Sequence, residues 1–106
     1  LQMLYYGAED YQNALSKADQ AIALNPSEPS YLYNVSLVYE KLRLPRKAIE
    51  AIEKCLALGT DDGQHLSQAY YLYSDNGMQG KADAIMKQLE SVDPRRAARA
   101  RSRHEP

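Results

Sequence analysis

The chain repeats itself at a fixed period along its whole globular part, and this period constrains its fold more than any other feature of the sequence. Three sets of residues are each spaced 34 positions apart: Tyr5, Tyr39 and Tyr73; Ala14, Ala48 and Ala82; and Leu24, Leu58 and Val92. Several positions that share one period are the sequence signature of a repeat protein, in which each unit buries its apolar face against its neighbours. We therefore expect a row of about three similar units.

Within each unit the apolar residues have the spacing of an amphipathic helix. Ala48, Ile49, Ile52, Cys55 and Leu56 fall on one helix face, and the first unit carries a similar stripe one period earlier. Proline, glycine and capping residues mark the ends of two helices per unit. The remaining predicted helices cover Pro29 to about Lys41, about Gln64 to Ser74, and Gln79 to Val92, and Asp10 is expected to cap the second helix of the first unit.

A helix-turn-helix unit of this period, with tyrosine, alanine and proline at these positions, resembles the tetratricopeptide repeat family. The resemblance covers residues 1–94. Its matching residues are, unit by unit, Tyr5, Asp10, Tyr11, Ala14, Ala21 and Pro26; Tyr33, Asn34, Tyr39, Ala48 and Leu56; and Leu66, Tyr73, Gly77, Ala82 and Pro94. The usual tryptophan of the family is replaced by Leu32 and Leu66. The resemblance implies an all-α fold of antiparallel helix-turn-helix repeats, stacked as a right-handed α-solenoid.

The repeat frame divides the chain into four segments. These are a partial first repeat, a second repeat, a third repeat that caps the array, and a basic tail, over residues 1–26, 27–62, 63–94 and 95–106. Asp83 and Glu90 replace apolar residues of the earlier units, and carboxylates are costly to bury unpaired, so the third repeat should face water. The tail has five Arg and no apolar stripe, so we expect it to be disordered. Because Leu1 falls at the seventh position of its repeat, we expect further repeats upstream.

The composition excludes several classes of protein. With 44% apolar and 25% charged residues the chain is predicted to be globular, and no apolar run approaches the roughly 18 residues that a membrane span needs. One cysteine and two histidines make no structural zinc site, and Cys55 is expected to be a small core residue. The sequence has no catalytic constellation, so we predict no metal and no cofactor. The cytoplasm is the default location, although a periplasmic array would have the same features.

The repeat frame also predicts a binding surface. In stacked helical hairpins the first helices line a concave groove, and residues that face it recur once per repeat. One such set is Met3, Leu37 and Tyr71, with Tyr6, Tyr33, Asn34 and Gln68 beside it. Aromatic and apolar side chains provide contact area, and amides pair with the backbone of an extended peptide or a partner helix. The alternative is that some of these tyrosines only cover the core.

The sequence therefore predicts a non-enzymatic protein-interaction scaffold, the C-terminal end of a longer array, with a protein or peptide as its ligand. The alternative function is attachment to an anionic surface through the arginine-rich tail. The tail lacks interleaved aromatic residues and the rest of the chain is acidic, which disfavours nucleic acid and membranes as partners. The open N-terminal edge, with Leu1, Leu4 and Tyr5, predicts self-association.

Overall fold

A computed structural model describes the backbone of residues 2–104 and the side chains of residues 10–103. The chain forms two compact units, Leu1–Leu58 and Gly59–Pro106. The backbone over residues 2–104 contains helices and no strand, which confirms the all-α prediction and its helix-turn-helix repeats.

The first unit contains three helices, α1 (Gln2–Leu24), α2 (Pro29–Lys41) and α3 (Pro45–Ala57). Proline begins both α2 and α3, where its missing N–H costs no helical hydrogen bond. The Glu28 carboxylate caps α2 by accepting a hydrogen bond from the Ser30 backbone N–H at 3.3 Å. Helices α2 and α3 pack against each other as a hairpin, and α1 packs against α2.

The hairpin predicted for the first repeat is wrong, because α1 runs unbroken from Gln2 to Leu24 and Asp10 lies inside it. In the second repeat the turn between helices places Arg43 at a positive φ of 61°. The second repeat has Pro45 at the start of the next helix, and the third has Gly77 in the turn itself. The equivalent residues of the first repeat are Tyr11 and Glu9, which do not end a helix. The backbone therefore continues as one helix where the family pattern predicts a turn.

The second unit contains α4 (Gly63–Asp75), α5 (Gln79–Val92) and α6 (Pro94–His104). The Asp62 carboxylate caps α4 by accepting from the Gln64 N–H at 2.8 Å. Helix α5 has the predicted bounds, and α4 extends slightly beyond the predicted range at each end. Helices α4 and α5 form a hairpin like that of α2 and α3, and α6 packs against both.

The prediction of a disordered tail is wrong for Pro94–His104, which form α6. Its N-terminus is capped by Asp93, whose carboxylate accepts from the Arg96 N–H at 3.1 Å, and Pro94 occupies the first helical position. Ala97 and Ala100, which lie on one face of this helix, are 1% and 0% exposed. Two alanines make a stripe too small to stand out in an arginine-rich sequence, yet they allow a close approach to α4 and α5.

Small residues form the crossing point of each hairpin. Ala48 and Ala82, which occupy the same position of successive repeats, are both 0% exposed, as the repeat frame predicts. The repeat frame also predicts that Ala14, the third member of this set, is nearly buried. This prediction is wrong, because Ala14 is only half-buried. The reason is the continuous α1, which brings no folded-back helix against Ala14.

Candidate functional site

Three of the predicted groove residues share one face of α2. Asn34 is exposed, and Tyr33 and Leu37, which are neighbours one helical turn apart, are half-buried beside it. The Ser36 side chain next to this face is fully buried and donates a 2.7 Å hydrogen bond to the Tyr33 carbonyl oxygen. We call Tyr33, Asn34 and Leu37 the Asn34 face. It combines an amide with aromatic and aliphatic carbon in contact with solvent.

Of the equivalent residues of α4, Ser67 and Gln68 are buried, and Tyr71 is half-buried like Leu37. Gln68, the repeat equivalent of Asn34, is 6% exposed, so the expectation that it borders an open groove is wrong. The Arg103 guanidinium carbon of α6 lies 4.0 Å from the centroid of the Tyr71 ring, which is half-buried. The Tyr71 ring also meets the Tyr70 ring edge to face, with centroids 5.9 Å apart. Helix α6 therefore covers part of the surface that the sequence assigned to a ligand.

The other two predicted groove residues, Met3 and Tyr6, have side chains outside the described residues. The same applies to Leu1, Leu4 and Tyr5 of the predicted N-terminal edge. Their roles stay predictions.

The first unit also contains a cleft on the opposite side of α2 from the Asn34 face. Leu32, Val35 and Tyr39 form its floor, and α1 and α3 supply the walls. One part has a volume of about 520 Å³. A second part of about 360 Å³ shares the lining residues Asp19, Tyr39 and Lys47 with the first. Sequence reasoning missed this cleft, because it arises from the separation of α1 and α3 and not from any residue pattern.

Charged side chains of both signs line this cleft. Asp19 of α1 and Glu50 of α3 are acidic, and Lys47 and Lys54 of α3 are basic. The Lys47 ammonium nitrogen lies 5.7 Å from the centroid of the Tyr39 ring, a cation–π contact within the cleft. The balance of charge favours neither an anionic nor a cationic ligand.

The residues that could do chemistry serve the fold. Cys55 is 0% exposed in the core of the first unit. His65 is 4% exposed, and its Nδ1 pairs with the Thr60 hydroxyl at 2.9 Å. Within residues 10–103, no three His, Cys, Asp or Glu side chains are grouped so as to hold a metal ion. The surfaces described above are suited to binding.

Comparison with known proteins agrees with the repeat frame. Residues 29–58, which span α2 and α3, match the family described as Tetratricopeptide repeat. This segment is a repeat of the tetratricopeptide repeat family. Such repeats generally mediate protein–protein interaction, and their fold is generally non-catalytic.

Similarity to known proteins extends beyond the matched repeat to most of the chain. Serine/threonine-protein phosphatase 5 of Homo sapiens is 32% identical over 88 residues, and the same protein of Rattus norvegicus matches equally. The match covers 83% of this tetratricopeptide repeat chain and 17% of each phosphatase. The chain thus spans less than a fifth of these relatives.

A solved structure of MamA (AMB-1) has a similar fold. The TM-score is 0.68 at 18% identity, with 86% of this chain and 54% of the MamA chain covered. At this identity the likeness shows the fold alone. Among the described helices of this tetratricopeptide repeat chain, none combines the length and hydropathy needed to cross a membrane.

Proposed function

We propose that this chain binds a protein partner on the Asn34 face of α2, either as an extended peptide or as a helix. The observation that carries the proposal is the exposed Asn34 amide, with the half-buried Tyr33 and Leu37 on the same face. An amide donates to and accepts from a peptide backbone, while aromatic and aliphatic carbon provides an apolar anchor. The general role of tetratricopeptide repeats in protein–protein interaction supports the proposal.

The phosphatase activity of the relatives is not part of the proposal. The match covers 17% of those proteins. The proposed role is that of a non-catalytic module in a repeat array.

The alternative, attachment to an anionic surface through the arginines, is weakened by the contacts of α6. Arg96 lies 3.3 Å from the Asp93 carboxylate, Arg101 pairs with Glu90, and Arg103 stacks on Tyr71. An arginine engaged within the chain must break that contact before it binds an external phosphate. We therefore propose the Asn34 face as the primary site.

A displayed library of random peptides tests the proposal. We expect peptides selected on the wild-type chain to bind Leu37→Ala about tenfold more weakly, because an apolar anchor at an interface is worth on the order of 1–2 kcal/mol. Leu24→Ala is the matched control, since Leu24 is 88% exposed and lies outside the Asn34 face. Fluorescence anisotropy with labelled peptide measures each affinity.

Two outcomes would contradict the proposal. Equal affinity for Leu37→Ala and wild type, with loss of binding in Leu58→Ala, would assign the ligand to the cleft, which Leu58 lines. Steep weakening of binding by salt would assign it to the arginines, because the Asn34 face is uncharged.

Self-association through Leu1, Leu4 and Tyr5 is a separate part of the proposal. Apolar repeat faces without a neighbour tend to pair with a second copy. Sedimentation over a range of concentrations should show a dimer whose population falls in a Leu4→Glu variant. A monomer at every concentration would contradict it.

A further inference from the structure

Helix α6 packs against α4 and α5 through three kinds of contact. Towards α4, Arg96 lies beside Gly63, where an added Cβ would come 3.2 Å from the Arg96 side chain, and Arg103 stacks on Tyr71. Towards α5, Arg101 pairs with Glu90. The buried Ala97 and Ala100 lie between these arginines around the helix axis.

The α4 side of this contact has the layout of a helix-binding surface. Gly63, Ser67 and Tyr71 follow one another at every fourth position, so they lie on one face of α4. Gly63 leaves room for the start of α6, because an added Cβ would meet the Asp93 Oδ2 at 2.7 Å. Ser67 is 5% exposed between Gly63 and Tyr71. We call Gly63, Ser67 and Tyr71 the Tyr71 face.

The contact is shallow and relies on polar pairs at its edges. The Arg101 and Glu90 side chains that form one ion pair are 48% and 39% exposed, and those of Arg96 and Asp93 are 33% and 36% exposed. Ion pairs this open to water contribute little to stability. The buried apolar part of α6 comprises only two alanine methyl groups, so its docking is reversible on physical grounds.

We propose that α6 is an internal ligand of the Tyr71 face, and that a partner helix of the same pattern binds there when α6 leaves. That pattern is two small residues three positions apart, followed three positions later by an arginine, as in Ala97, Ala100 and Arg103. The inference goes beyond the proposed function, because the Tyr71 face is a second binding surface, and it adds regulation of that surface by α6. Docked α6 lowers the apparent affinity for the partner in proportion to the undocked fraction.

A labelled synthetic peptide of residues 93–106 tests the inference on the full-length chain. Ala100→Glu places a carboxylate in the buried stripe and should release α6, while glutamate keeps its helical propensity. Ala98→Glu is the matched control, because Ala98 lies on the exposed side of the same helix. We expect the peptide to bind Ala100→Glu at least about tenfold more tightly than wild type, and Ala98→Glu as weakly as wild type.

Amide hydrogen exchange on the same samples establishes that α6 is released while α4 and α5 stay folded. Should Ala100→Glu unfold the unit, Arg103→Ala takes its place, with a smaller gain in peptide affinity expected. A peptide that itself carries Ala100→Glu should fail to bind. Equal peptide binding by Ala100→Glu and Ala98→Glu, or no binding to a chain with released α6, would overturn the inference.

The test is independent of the Asn34 face. Leu37→Ala should leave binding of the α6 peptide unchanged, even though it weakens binding of the library-selected peptides. Loss of the α6-peptide signal alone would contradict the inference, and loss of the Leu37→Ala effect alone would contradict the proposed function.

Discussion

The α2–α3 and α4–α5 hairpins are two copies of one repeat unit with different surroundings. In α2 only Val35 and Ser36 are buried, whereas in α4 the buried residues include both core and groove positions. Asn34 is exposed while its equivalent Gln68 is buried. The same repeat pattern therefore gives a more open first helix in one hairpin and a more buried one in the other. In the second unit, Arg103 of α6 covers part of the Tyr71 ring.

The inter-helix turns of the two hairpins are nearly identical. The Leu44 N–H donates to the Tyr39 carbonyl at 2.9 Å, and the Met78 N–H donates to the Tyr73 carbonyl at 2.8 Å. In each unit a lysine nitrogen lies 5.7 Å from the centroid of a tyrosine ring, Lys47 on Tyr39 and Lys81 on Tyr73. The repeat period therefore determines the hairpin itself, whereas the exposure of its outer faces differs between the two hairpins.

The largest expected effect comes from truncating one leucine in each hairpin. Leu66 is 0% exposed, and its equivalent Leu32 is half-buried at the floor of the cleft. We expect Leu66→Ala to lower the free energy of unfolding by about 2–5 kcal/mol, and Leu32→Ala by about 1 kcal/mol. Urea denaturation followed by circular dichroism measures both. Equal losses would mean that α4 is no better covered than α2.

The next effect tests what the hairpins share. Ala48 and Ala82 leave room only for a methyl group at 0% exposure, so a leucine at either position overpacks the crossing point. Ala48→Leu and Ala82→Leu should each destabilise by about 1–3 kcal/mol in thermal unfolding. Ala84→Leu, on the exposed side of α5, is the control and should be nearly neutral. A neutral Ala48→Leu would show that the helix faces are wrongly assigned.

A smaller effect concerns the left-handed residue of each turn. Arg43 has a φ of 61° and its equivalent Gly77 a φ of 75°. A side chain in this region costs about 1–2 kcal/mol, so Arg43→Gly should stabilise by up to about 1 kcal/mol and Gly77→Ala should destabilise by about 1 kcal/mol. An added Cβ at Gly77 meets nothing within 4 Å, so the loss would come from the backbone alone. A change of the melting temperature in the same direction for both variants would refute this expectation.

The smallest effect is on the docking of α6 in acid. The hydrogen bond from the Arg96 backbone N–H lowers the pKa of Asp93, and the Arg96 side chain and Arg99 add to the shift. Because that pKa is lower in the capped helix than in the unfolded chain, docking is favoured above the ordinary aspartate pKa of about 3.9. It weakens as the pH falls through the lowered value. The protection factor of the α6 amides, which corrects for the pH dependence of intrinsic exchange, should fall over this range in wild type and fall less in Asp93→Asn.

Residue patterns predict the parts of this fold that lie within one repeat. The bounds of α2 and α5 follow from proline, caps and apolar spacing, and the burial of Ala48 and Ala82 follows from the period. The continuous α1 did not follow, because the family pattern implied a turn that Glu9 and Tyr11, which stand where later repeats have Gly77 and Pro45, do not enforce.

The covered half of the candidate site was harder to predict. The exposure of Asn34 follows from its helix face, but the burial of its repeat equivalent Gln68 does not follow from the repeat period. Docking of α6 rests on two alanines and on arginines that pair with Asp93, Glu90 and Tyr71. An arginine in a sequence predicts a solvent-exposed side chain, whereas its stacking on a tyrosine ring depends on tertiary geometry.

Amide hydrogen exchange of α6 in the full-length wild-type chain tests most directly whether this helix covers the second unit. Amides between Ala97 and Arg101 should exchange slowly, and Ala100→Glu should abolish that protection while Ala98→Glu preserves it. Exchange of these amides at the rate of an unstructured chain in the wild type would contradict the packing of α6 over Tyr71, and with it the covered surface of the second unit.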